Sequence, residues 1–438
     1  MSATPATTAY HLERALLPAG VADDVLVTIA DGRFASVEPA VAGPAEPASR
    51  LPGLTVPGLA NCHSHAFHRA LRGRTQRGRS TFWTWREQMY SLAERLDPDS
   101  YFALALATYR EMVASGITSV GEFHYLHHTP RGRPYDDPNA MGRALIEAAR
   151  QAGLRITLLD ACYLAAGINR EPEGVQRRFS DGDSAQWAER VSMLTDDETA
   201  KIGQAFHSLR AVPRDQLSAD PDRPLHVHLS EQRAENDECL SAYGRTPTEL
   251  LADAGQLGPL TTVVHATHLT DTDIDLLGTT HVYVDFCPTT ERDLGDGIGP
   301  SRRLHEAGAR LTLGSDSHAV IDLFEEMRAV EMDERLATEQ RGHWTADELV
   351  TAATATGHAS LGWGDTGRIE VGQRADLVTL DTRSPRTAGT GADSQTVVFA
   401  ASAEDVLHVV ADGRVVARDG DRAEIGRELE AAISAVWS

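Results

Sequence analysis

The chain is 438 residues long, enough for about three domains or for one large α/β barrel with a smaller satellite. Hydrophobic residues make up 41% and charged residues 24%, which is too apolar a mixture for an extended, disordered chain. The 64 acidic and 41 basic side chains leave a formal charge of -23, which argues against nucleic acid or an anionic membrane surface as the main partner.

Residues 1–20 lack a basic start followed by an apolar run, and no later stretch is long and apolar enough to span a bilayer, so the sequence predicts a cytoplasmic protein. Cys62, Cys162, Cys239 and Cys287 show no CxxC spacing and read as buried thiols, not as disulfides or a cysteine zinc site. The assembly is open, with a homodimer as one candidate.

In chain order, the first element is a hairpin at Asp24-Val-Leu-Val-Thr-Ile-Ala-Asp-Gly-Arg33, turning on Asp-Gly. Strand candidates follow at Leu54–Ala60, Ile117–Glu122, Arg155–Ala161, Ile202–His207, Leu225–Leu229, Thr262–Ala266, Val282–Phe286 and Arg310–Gly314. Helical patterns at Tyr101–Ala114, Ala140–Gln151, Thr246–Ala254 and Ser301–Ala307 lie between them. This alternation predicts a parallel (β/α)₈ barrel, with a doubly wound open sheet as the competitor. Near the end, Ala375–Leu380 reads as a strand, and Asp405-Val-Leu-His-Val-Val-Ala-Asp-Gly-Arg414 repeats the first hairpin. The echo predicts one small β-domain, 1–56 plus 366–438, built from both chain regions around a barrel at 57–365.

Polar residues gather where the barrel strands end. Strand one runs into Asn61-Cys-His-Ser-His65, whose alternate residues His63 and His65 point the same way and can present two imidazoles to one ion. Strand five carries His226-Val-His-Leu-Ser-Glu231, strand six Val264-His-Ala-Thr-His268 and strand eight Ser315-Asp-Ser-His318. Taken alone, the HxH is weak and each histidine has a core-packing reading; four such sites at four strand ends suggest a catalytic zinc site. Its ligands would be His63, His65, one histidine of strand five and Asp316, with Glu231 and His265 close by for proton transfer. A divalent ion there makes a water nucleophilic near neutral pH, which is hydrolytic chemistry.

These motifs resemble the amidohydrolase superfamily, and within it the one-metal deaminases. The two-metal branch carries a carboxylated lysine at the end of strand four, whereas the single Lys201 precedes that strand here and His207-Ser-Leu-Arg210 ends it. Asn61-Cys-His-Ser-His-Ala-Phe-His-Arg-Ala-Leu71, Phe82-Trp-Thr-Trp-Arg-Glu87, Glu122-Phe-His-Tyr125, His207-Ser-Leu-Arg210 and Cys287-Pro-Thr-Thr-Glu291 resemble the N-formimino-L-glutamate deiminases of histidine degradation along essentially the whole chain. The resemblance implies a (β/α)₈ barrel with a β-sandwich made from both chain regions, and one divalent metal ion, with zinc favoured. It places the metal on His63, His65, His228 and Asp316, proton transfer on Glu231, His265 and Asp316, and substrate contacts on His68, Arg86, Tyr125, His207 and Arg210.

His68 is a departure, because the family pattern has glutamine there; an imidazole still offers one hydrogen bond, with a free-solution pKa near neutrality. Arg86 and Arg210, read as lying in loops after strands one and four, suit a dicarboxylate, since guanidinium forks grip carboxylates. Surface pairing, Arg86 with Glu87 for example, is their bland alternative. The implied reaction is deimination of N-formimino-L-glutamate to N-formyl-L-glutamate and ammonia. The alternatives are a purine, pyrimidine or other amidine deaminase and, from a different class, an inactive barrel serving in assembly. His268 and His318 read as partners behind the ligands, and Trp83 and Trp85 as packing beside the site. His124, His127 and His128 read as loop histidines, and Asp181, Asp183, Asp196 and Asp197 as a solvated face.

Overall fold

Two sheets organise the residues described by the computed structural model, which are 8–41, 48–77 and 82–438; the side chains of Phe82 and Trp83 lie outside that description. The first sheet takes β1 (Thr8–Leu17), β2 (Gly20–Ala30), β3 (Arg33–Glu38) and β4 (Ser49–Pro57) from the early chain, and β13 (Leu377–Leu380), β14 (Val406–Ala411) and β15 (Arg414–Arg418) from the late chain. Its order is β15-β14-β13-β4-β1-β2-β3, so early and late segments meet where β13 pairs with β4. Both Asp-Gly turns adopt the left-handed conformation anticipated for them, with φ of 51° and 75° at Asp31 and Gly32 and of 46° and 76° at Asp412 and Gly413.

The second sheet holds β5 (Leu59–Ser64), β6 (Ile117–His124), β7 (Arg155–Cys162), β8 (Ala200–Ser208), β9 (Leu225–Leu229), β10 (Thr261–His265), β11 (Tyr283–Phe286) and β12 (Arg310–Leu313), all parallel and in sequential order. A parallel bridge between Ser64 and Asp316 joins the last strand to the first and closes the barrel. Every residue of β5, β6 and β7 is buried, as expected of strands covered on one face by helices and on the other by the barrel interior.

The expected strand Leu54–Ala60 straddles two elements. Residues up to Pro57 pair in the first sheet, and β5 of the barrel begins at Leu59. Gly58 makes the crossing because a Cβ there would collide with Thr118 and Asp376. The barrel's first helix, α1 (Phe82–Arg95), carries Arg86, so that arginine lies on a helix and not in a loop. The helix expected from Tyr101 starts at Pro98, because Asp97 and Ser100 form a reciprocal cap before it. Among the described residues no helix is long and apolar enough to cross a membrane.

His124, His127, His128 and Asp181 depart from the sequence reading. The three histidines are buried, and Asp181, far from belonging to a solvated face, has a side chain only 7% exposed. Arg190 organises this interior: its guanidinium reaches both oxygens of Asp160 at 2.8 Å and both oxygens of Asp181 at 2.8 Å, and His128 Nε2 lies 3.0 Å from Asp181. His124, His127 and Asp160 could in outline hold a cation, but the Asp160 carboxylate is already engaged by Arg190. Burial opposes ionisation of Asp160 and Asp181, yet Arg190, with His128 at Asp181, holds both below the ordinary aspartate value.

Arg190→Met is therefore expected to destabilise the fold by about 3–5 kcal/mol, because it strands two buried carboxylates. The depressed carboxylates contribute stability above the unfolded aspartate pKa of about 3.9 and lose it as pH falls through their folded values. Denaturant unfolding followed down through about pH 4 should give the wild type the steeper acid loss; equal slopes would show that the Arg190 cluster contributes nothing.

Candidate active site

The seam that closes the barrel is where the candidate ligands meet. His63 C=O accepts the N–H of Ser315 at 3.1 Å and of Asp316 at 3.0 Å, while His65 N–H donates to Asp316 C=O at 3.2 Å. Asn61 locks the same joint through both ends of its amide, donating to Ser315 Oγ at 2.7 Å and accepting Ser315 N–H at 2.9 Å. Buried Glu122 accepts Ser64 Oγ and Ala66 N–H, both at 2.7 Å, and so holds the exit of β5. Burial raises its pKa to about 7, against the pull of those two hydrogen bonds.

Single donor atoms of His63, His65, His228 and Asp316 all lie within 4.8 Å of one another. His228 Nδ1 donates to His207 C=O at 2.7 Å and His65 Nδ1 to Phe123 C=O at 3.0 Å, which leaves the Nε2 of each ring as a lone pair. The His228 lone pair faces His63 Nε2 at 3.0 Å, and Asp316 stands 3.4 Å from His63 Nε2 and 3.3 Å from His65 Nε2. Lone pairs and a carboxylate converging on one point repel unless a cation or a shared proton lies among them, so the set fits a divalent ion. Burial pulls the His63 pKa down to about 4, which favours the neutral imidazole that ligation requires.

His226, the competitor on strand five, is buried outside this cluster, and among the described residues neither of its ring nitrogens has a hydrogen-bond partner. Lys201 lies within β8 near its start, not ahead of it, with its ammonium 4.9 Å from the Trp363 ring centroid. His318 backs the seam through Ser315 Oγ at 3.0 Å and Ser64 Oγ at 3.2 Å.

His265 Nε2 lies 3.8 Å from Asp316, and its Nδ1 faces Glu291 at 3.3 Å. Burial works against a charged ring here, but Glu291, Glu231 and Asp316 together lift the His265 pKa well above its usual value. Glu291 also accepts Cys287 N–H at 3.0 Å, so it orients His265 from a fixed base. The sequence reading quoted Glu291 within a motif without giving it a role. Its one legible signal was a carboxylate just inside the helix that Pro288 begins after β11.

One cavity opens over this cluster. Glu231, His265, His228, His65 and Asp316 line one part of it, and Arg86, Arg210, Tyr125, His207 and His68 line the rest, with Trp85 among the walls. Every residue expected to contact substrate thus borders the same space. Arg86 Nε donates to Tyr90 Oη at 2.8 Å, and Arg210 Nε stands 3.8 Å from Glu235. Glu235 is buried, and burial drives its pKa up to about 7 against the pull of Arg210. His68 Nε2 pairs with Tyr125 Oη at 2.9 Å, and burial, with His65 alongside, holds its pKa well below 6.5. The near-neutral titration of a free imidazole is lost because the ring is enclosed.

A metal-binding imidazole and carboxylate cluster at the C-terminal mouth of a parallel barrel is an architecture of ion-assisted hydrolases. The amidohydrolase family model matches residues 54–416, and the model for the N-terminal domain of formimidoylglutamate deiminase HutF matches residues 7–50. A formimidoylglutamate deiminase of Pseudomonas aeruginosa is 37% identical over 97% of this chain and 98% of its own. A 5-methylthioadenosine/S-adenosylhomocysteine deaminase of Haloarcula marismortui is 29% identical over 90% of this chain and 89% of its own. Among solved structures, an amidohydrolase from Brucella melitensis superposes with a TM-score of 0.89 at 32% identity, covering 98% of this chain and 100% of that one. The chain belongs to the amidohydrolase family, within its formimidoylglutamate deiminase branch.

Asp316→Asn and His228→Ala should each lose bound metal on dialysis, whereas Glu231→Gln should keep it, because Glu231 borders the cavity outside the ligand cluster. Elemental analysis of the three dialysed proteins measures this; metal loss from Glu231→Gln equal to that from His228→Ala would mean that acid and ligand had been exchanged.

Proposed function

We propose that this protein is a metal-dependent deiminase that converts N-formimino-L-glutamate to N-formyl-L-glutamate and ammonia, with zinc as the single resident ion. The observation that carries this reading is the single cavity in which a hydrolytic cluster and two guanidinium groups face the same space. A small anionic amidine suits both parts, and the relative from Pseudomonas aeruginosa bears the name of that activity.

His63, His65, His228 and Asp316 would hold the ion, whose contribution when bound is a water made nucleophilic at neutral pH. Three imidazole nitrogens and one carboxylate suit zinc, and the absence of a lysine at the cavity favours one ion over two. Attack by water on the C=N carbon forms one C–O bond and gives a tetrahedral carbon. Asp316 takes up the proton leaving the oxygen, and the charged His265, held in place by Glu291, steadies the carboxylate and the developing charge beside it. Glu231, which makes no hydrogen bond among the described residues, is available to deliver a proton to the departing nitrogen. Breaking the C–N bond with two protons transferred to that nitrogen releases ammonia and leaves the formyl oxygen on carbon. Arg86 and Arg210 hold the carboxylates of the glutamate portion.

Ammonia release from metal-loaded protein tests the reading, with N-formimino-L-glutamate beside formimino-glycine, guanine and cytosine. Turnover of a nucleobase but not of the glutamate derivative would replace it with a nucleobase deaminase. Arg210→Met should weaken kcat/KM for N-formimino-L-glutamate by about 2–5 kcal/mol, and much less for formimino-glycine, which lacks the second carboxylate. His68→Gln should retain substantial turnover because the amide can replace the imidazole as partner of Tyr125, whereas His68→Ala should be clearly slower. Rates matching wild type in both His68 variants would show that His68 makes no contact with the substrate.

A further inference from the structure

Hydrogen-bond polarity beside Arg86 can be read from the chain itself. Gln176 sits in the short turn Gly174–Arg178, is 4% exposed, and has its amide oxygen on the backbone N–H of Glu173 at 3.1 Å. A backbone N–H can only donate, so the oxygen and nitrogen of this amide are assigned without ambiguity. Gln176 Nε2 then donates to Tyr90 Oη at 3.0 Å and to Tyr163 Oη at 2.9 Å. Tyr90 Oη accepts a second time, from Arg86 Nε.

Both phenol oxygens are therefore acceptors towards the protein, and neither phenol hydrogen has an acceptor among the described residues. Tyr90 and Tyr163 both line the cavity. Tyr163 is held there because Leu164 and Ala165 N–H both donate to Ala211 C=O, at 2.8 and 2.9 Å. With Arg86 and Arg210 on the same wall, this part of the cavity presents donors to whatever enters it.

We propose that Tyr90 and Tyr163 donate their phenol hydrogens to a carboxylate of the substrate, and that Gln176, which does not touch the substrate, is the positioning residue that sets this polarity. The proposal rests on the dicarboxylate reading above and deepens it. It makes carboxylate recognition a combination of two cations and two neutral donors.

Glutarate binding by titration calorimetry and steady-state kinetics with N-formimino-L-glutamate test it on the metal-loaded protein. Tyr163→Phe and Tyr90→Phe should each raise the glutarate Kd and the substrate KM by about tenfold to a hundredfold, the scale of one hydrogen bond to a charged acceptor, with the larger share of the loss in KM and not in kcat. Gln176→Glu keeps the acceptor for Glu173 N–H but turns the phenol hydrogens inward, so it should weaken glutarate as well. Adding Tyr163→Phe to Gln176→Glu should then cost little more, whereas simple charge repulsion by the new glutamate would make the two losses add. Unchanged glutarate affinity in both Phe variants, or a wild type that binds no glutarate, overturns the proposal; additive losses overturn the role of Gln176. A wild type that binds glutarate but does not turn over N-formimino-L-glutamate removes the activity reading and leaves the tyrosines to be judged by binding alone.

Discussion

Closure of the barrel between β5 and Asp316 is the constraint from which the site follows. The hydrogen bonds that join the last strand's exit to the first are made by His63, His65 and Asp316 themselves, so the joint and three of the four candidate ligands are the same residues. Their relative positions are set by backbone pairing and by the Asn61–Ser315 lock, before any ion contributes. The fourth, His228, is aimed across the barrel by the carbonyl of His207 on the neighbouring strand. Ligand placement and barrel closure therefore stand or fall together, and a substitution at Asn61 acts on the site although Asn61 lies outside the ligand set.

Strain is concentrated at the same rim. Ser230, His265, Asp316 and His318 all have positive φ, between 40° and 70°, a region that side chains other than glycine occupy at a cost of about 1–3 kcal/mol each. These turns bring Glu231, two residues past β9, His265, the last residue of β10, and Asp316, three residues past β12, to the edge of the cavity. The rest of the barrel, with its continuous buried strands, holds a geometry that the local chain would not choose.

Charge tells a similar story on two scales. The whole protein carries a formal charge of -23, yet Arg86 and Arg210 border the cavity, and Glu231 and Glu235 lie on the side of Arg210. Arg210 is thereby anchored from behind without a hydrogen bond to Glu235 that would saturate its guanidinium. Against a net charge hostile to anions at long range, two guanidinium groups border one cavity, where screening by solvent is weak.

Much of this was legible in one dimension because strands and helices announce their periodicity. The eight barrel strands, the paired hairpins at Asp31-Gly32 and Asp412-Gly413, and the histidines and aspartate at strand ends follow from alternation, Asp-Gly chemistry and position relative to the strand ends. Contacts across the fold were not legible. Nothing local distinguishes Asp181, which pairs with Arg190 in the interior, from the exposed Asp183 cap, and nothing in the break at Gly58 marks the crossing between two sheets until Thr118 and Asp376 press against it. Glu291 behind His265, and Gln176 between Tyr90 and Tyr163, are likewise partners across 26, 86 and 13 positions of chain. The sequence by itself determined which chemistry lies at each strand end, because alternation is a local property. Only the tertiary structure decided which proton faces which oxygen, because that depends on neighbours the chain brings together only after it has closed.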